Sequence, residues 1–95
     1  MSWLVLLRPA RDEMPFAPTA EESRIVGEHY AYLKALRVQG RLVLAGPSAL
    51  PGDTVGTGVF DQEDRAEVEA IVAQDPAVSS GIMTAEIRPF RIAVR

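Results

Sequence analysis

The chain has 95 residues, a net charge of −3, 47% hydrophobic and 24% charged residues, which fits one domain over 1–95 with no room for a separate cofactor-binding domain. That composition excludes collagen-like, disordered and coiled-coil chains, and the absence of cysteine excludes a disulfide scaffold, a thiolate zinc site and a cysteine nucleophile together. The cations are nine scattered arginines and Lys34, so no nucleic-acid footprint is visible.

The first element is the apolar run Trp3-Leu4-Val5-Leu6-Leu7, ended by Arg8-Pro9. It is too short for a signal-peptide core and suits a central strand buried on both faces. A loop with Pro9, Pro15 and Pro18 follows. Thr19-Ala20-Glu21-Glu22 then carries a capping hydroxyl three residues before a glutamate, and the spacing predicts a helix over Thr19 to Gln39. Gly40 fits the left-handed position beyond its end.

Arg41 to Ala45 reads as a second strand, and Gly46-Pro47 with Pro51-Gly52-Asp53 marks a turn-rich loop. The longest uncharged run, Leu42 to Gly52, holds two prolines and falls short of the ~20 apolar residues that span a membrane. The chain is therefore expected to be cytoplasmic, with no membrane partner. A third strand is expected over Val55 to Phe60, where Gly56, Gly58 and Phe60 share one face and leave space above the two glycines. Asp61 to Asp64 cap a second helix whose buried stripe is Val68, Ile71 and Val72. Asp75-Pro76 ends it. Ala77 to Gly81 reads as a short helical turn, Met83 to Pro89 as a fourth strand, and Phe90 to Arg95 as a further extension.

This order is the split βαβ arrangement, an α+β, ferredoxin-like βαββαβ fold: a four-stranded antiparallel sheet with both helices on one face. Both faces of the first two strands are apolar, so the uncovered face needs a cover. The simplest is an identical subunit stacked sheet to sheet about a two-fold axis, giving a homodimer.

The motifs for cofactor chemistry are missing. Gly56-Thr57-Gly58 lacks the third glycine of a dinucleotide fingerprint, and no lysine follows a glycine loop. With one histidine and no cysteine, a metal site has too few ligands close in sequence. Neither a metal nor another cofactor is expected. His29 lies near the middle of a roughly 120° apolar sector of the first helix with Ile25, Val26, Tyr32, Leu33 and Leu36. Its plain reading is a buried imidazole bonded to a backbone carbonyl; its catalytic reading needs a partner that fixes one ring nitrogen and frees the other. Asp75 continues the inward stripe of the second helix seven residues after Val68, yet an aspartate before proline is also a helix cap. The two would meet over Gly56 and Gly58 if the helices lie side by side. Tyr32 and the Gly46-Pro47-Ser48 loop would border such a pocket as substrate-binding residues, although Ser48 suits a turn as well.

Taken together, His29-Tyr30-Ala31-Tyr32-Leu33, Gly40 to Pro47, Asp75-Pro76-Ala77-Val78 and Ile87-Arg88-Pro89-Phe90 resemble, in order and spacing, the motif blocks of the YciI-like (YCII-related) family. The resemblance implies a dimeric α+β barrel of ferredoxin-like protomers, related to muconolactone isomerases and small cofactor-free monooxygenases. It also implies that His29 and Asp75 are a catalytic pair. Some members carry an arginine where this chain has Val26, so an anion held from that position is not expected here. The leading expectation is a small cofactor-free enzyme of lyase or isomerase type, moving a proton on a small organic ligand with His29 while Asp75 orients it. The alternative is a dimeric module that binds a small hydrophobic metabolite unchanged, and after it a structural domain with a filled core.

Overall fold

The computed structural model describes residues 1–48, 54–61 and 64–95. Its elements are β1 (Ser2–Pro9), α1 (Ala20–Val38), β2 (Leu42–Pro47), β3 (Gly56–Phe60), α2 (Arg65–Gln74), the single turn α3 (Pro76–Ser79) and β4 (Met83–Phe90). The expected Pro51-Gly52-Asp53 turn lies outside the described residues, as do two positions of the Asp61 to Asp64 stretch.

The sheet has the order β2-β3-β1-β4, and every adjacent pair is antiparallel, which is the ferredoxin-like arrangement. Alternation along β1 sends Trp3 and Val5 to the helices, where they join Leu36 of α1, Val68, Ile71 and Val72 of α2, and Leu42 and Phe60 of the neighbouring strands in one buried core. Val68 is fully enclosed. Because α1 and α2 both pack on this side, Leu4 and Leu6 of β1 lie on the other, opposite Val59 and Thr57 of β3.

The ends of the elements follow local chemistry. Thr19 caps α1 by accepting a bond from the Glu22 N–H, and the Glu22 carboxylate accepts from the Thr19 N–H in return, so two otherwise orphaned donors are satisfied. Gly40 follows the helix at φ 77°, a left-handed conformation in which a side chain is strained. Asp64 caps α2, and Asp75 with Pro76 at the first helical position opens α3.

The expected strand extension over Phe90 to Arg95 does not form: β4 stops at Phe90. Phe90, Ile92 and Val94 alternate as a strand would, but β1 ends at Ser2 opposite Phe90, so the residues beyond have no partner backbone to bond. β2 is likewise an edge strand despite its apolar run, and Leu44 stands 57% exposed.

Candidate active site

α1 brings His29 to its buried side two turns before Leu36, and α2 delivers Asp75 at the point where it ends and α3 begins. The helices lie close enough for the two side chains to meet. His29 Nδ1 sits 2.8 and 2.7 Å from the two carboxylate oxygens of Asp75. Both residues are buried, at 6% and 4% exposure. An ionised carboxylate only accepts, so Nδ1 is the donor, and in the neutral tautomer that this bond selects, the lone pair lies on Nε2. Nε2 bonds to no described residue. Among the described residues, Trp3 Nε1 is the buried side-chain nitrogen or oxygen without a partner, so the free Nε2 is not sealed inside the protein.

Asp75 Oδ1 also accepts from the Ala77 N–H at 2.9 Å. The carboxylate is thus a helix cap and a hydrogen-bond partner of the histidine at once. This second bond pins the carboxylate in place, because moving it toward or away from His29 would uncap α3.

His29 and Asp75 stand in the wall of a cavity of about 800 Å³ between α1 and the sheet. Its surface is mostly apolar, with Val26 and Leu33 of α1, Leu42 and Ala45 of β2 and Met14 of the first loop among its walls. Gly46, Pro47, Gly56, Gly58 and Tyr32 line it too, whereas Ser48 does not. The Ser48 hydroxyl instead accepts the Val55 N–H at 2.9 Å, as a turn residue would. The two glycines border the space without creating all of it: a Cβ at Gly56 would touch Leu7 and one at Gly58 the Phe60 ring, each at 3.4 Å.

Tyr32 lines the cavity with its ring but not with a free hydroxyl, which donates to the Ile71 carbonyl at 2.6 Å. Burial, and then the nearby Asp75 charge, push that hydroxyl above the usual tyrosine range, so it stays a donor. Tyr30 is the tyrosine beside the imidazole, its ring centre 5.5 Å from that of His29. Tyr30, Lys34 and Arg37 lie outside the apolar sector of α1, yet all three line the cavity. At ~100° per residue, Leu33, Val26, Arg37, Tyr30 and Lys34 follow His29 in turn around one flank of α1. That progression was readable; what hid it was a core sector assumed to stop at the last apolar side chain.

Fold and site together define a ferredoxin-like α+β domain with a buried His-Asp pair on an apolar cavity. The YCII-related domain family matches residues 1–91, and the chain belongs to that family. Among the curated proteins none matches. Among solved structures, 5-chloro-2-hydroxyhydroquinone dehydrochlorinase from Burkholderia phenoliruptrix AC1100, in complex with 2,5-dihydroxybenzoquinone, is similar with a TM-score of 0.74. The match covers 96% of this chain and 94% of that one at 18% identity, a likeness of fold.

Proposed function

We propose that the protein is a small cofactor-free enzyme of lyase or isomerase type that moves a proton on a ring-sized organic substrate. The observation that carries this reading is the geometry of His29: Nδ1 is held by a pinned carboxylate, and Nε2 is left as a base beside an apolar cavity. Nε2 takes a proton from an acidic O–H or C–H of the substrate. The electron pair left behind either expels a leaving group from the adjacent atom or shifts a double bond, and the imidazolium returns the proton to solvent or to a second substrate atom. Asp75 fixes the tautomer and steadies the imidazolium as it forms. The similarity in fold to a dehydrochlorinase supports the elimination branch.

The test follows deuterium uptake and product formation by NMR in D2O across a panel of hydroxylated and chlorinated quinols and small enolisable lactones. For any compound turned over, His29→Gln should keep the fold and lower turnover about 10²- to 10⁴-fold, the worth of a positioned base. Asp75→Asn should cost less, because an amide oxygen still accepts from Nδ1. The mostly apolar cavity favours a second reading, a module that binds a small hydrophobic molecule unchanged. A panel compound that binds with neither deuterium uptake nor product formation, and binds more weakly after His29→Gln, would establish that reading in place of the first.

A further inference from the structure

Most cations of this chain are spoken for. Arg8 and Arg88 bond Glu86, Arg11 bonds Glu22, Arg24 bridges Glu21 and Glu28, Arg65 bonds Glu69, and Arg95 reaches Asp61. Lys34, Arg37, Arg41 and Arg91 have no carboxylate in ion-pair range among the described residues. In an acidic protein, unpaired cations that share a location ask for an explanation. Two of these four, Lys34 and Arg37, line the cavity that holds His29, and Asp75 is the one carboxylate among its described lining residues.

The placement is graded along α1. With a rise of ~1.5 Å per residue, Lys34 lies about 7.5 Å and Arg37 about 12 Å along the axis from His29. Both are exposed, whereas His29 is buried. The α1 wall of the cavity therefore carries buried His29 beside one negative carboxylate, then apolar Leu33, and toward the helix's C-terminal end two exposed positive side chains. A ligand anion would be repelled at the buried end and attracted at the mouth.

We propose that Lys34 and Arg37 form an anion-binding mouth, and that the cavity takes a ligand with an apolar body one or two rings long and a carboxylate or similar anion at its outer end. The orientation, with the uncharged end toward His29, rests on the acid–base reading; the preference for an anion does not. Arg37 sits in the last turn of α1, where a cation also favours the helix dipole, but a dipole role makes no distinction between ligands.

The experiment compares 2-naphthoate with its neutral analogue 2-naphthamide by NMR titration of the ¹⁵N-labelled protein at pH 7 and about 150 mM salt. Naphthoate should bind about three- to tenfold tighter, the range of a partly solvated charge-assisted contact, with shifts at His29 and Leu33 amides placing it in the cavity. Lys34→Gln with Arg37→Gln should bring the two affinities within about twofold, while Arg37→Lys retains most of the preference. Arg91→Gln with Arg95→Gln removes the same charge at residues outside the cavity lining and should leave the preference intact. Equal affinity in the native protein, no binding of either probe, or a preference that survives the mouth substitutions overturns the proposal. His29→Gln tests the acid–base reading and leaves the anion preference in place, so the two ideas fail separately.

Discussion

Tyr32 and Asp75 divide the work of closing α2. The last carbonyls of a helix lack intrahelical donors; here the Ile71 carbonyl accepts the Tyr32 hydroxyl, and the Val72 carbonyl accepts the Asp75 N–H. Tyr32 is therefore a positioning residue that ties α1 to the turn of chain carrying Asp75. Tyr32→Phe should lower stability by about 1 kcal/mol, a fall in Tm of about 4–8 °C for a domain of this size. A calorimetric melt indistinguishable from the native protein would refute that role. At this scale the sequence was partly legible. His29 could be assigned inward because its neighbours recur with the helical period, and Asp75 could be assigned as a cap because proline follows it. Their meeting could not be derived locally, since it depends on how two helices dock. The hydroxyl of Tyr32 was equally hidden, because periodicity gives a side chain its direction and says nothing of which carbonyl waits there.

Among the elements, α1 has the most heavily built start. Arg11 bonds the Glu22 carboxylate at 2.5 and 3.2 Å while Glu22 also closes the capping box. The Arg11 hydrogen bond first, and the Thr19 N–H second, pull the Glu22 carboxyl down to about 2 from its ordinary 4.5. A folded-state pKa below the unfolded one means that ionised Glu22 favours the fold above the unfolded value and loses that effect as pH falls through the folded one. Glu22→Gln should therefore lower the urea midpoint at pH 7, and the gap from the native protein should close between pH 4.5 and about 2. A gap independent of pH would contradict the assignment. Thr19→Ala should cost about 1 kcal/mol at neutral pH. The box was legible because its residues are neighbours in sequence. The pairing of Arg11 with Glu22 was not, since it depends on the path of a proline-containing loop. The extension past Phe90 failed for a related reason: alternation describes a strand's faces, while its existence depends on a partner edge.

For the whole molecule, the consequence of placing both helices on one side is an exposed sheet face. Part-buried Leu4 and Leu6 lie at its middle beside buried Val59, with the half-exposed Leu44 toward one edge. Arg8, Glu86 and Arg88 form an ion-paired border along the other. A second copy stacked about a two-fold axis would cover the apolar centre and leave the charges at the rim, and ~800 Å² per partner is the usual size of a stable contact. Light scattering at micromolar concentration should give twice the 10.3 kDa chain mass, and Leu4→Glu with Leu6→Glu should give a monomer. A monomeric native protein would count against this face as an interface.

His29 and Asp75 are 46 residues apart in the chain, with β2, β3 and α2 between them. Neither helix alone, nor the hairpin of β2 and β3, contains any part of the paired geometry. The site is therefore nonlocal: closing so long a segment carries an entropic cost that a contact within one helix does not, and the pairing depends on the fold that brings the two helices together. The paired geometry belongs to the docked helices, and a chain in which α1 is not docked against the end of α2 carries its histidine without the Asp75 bond.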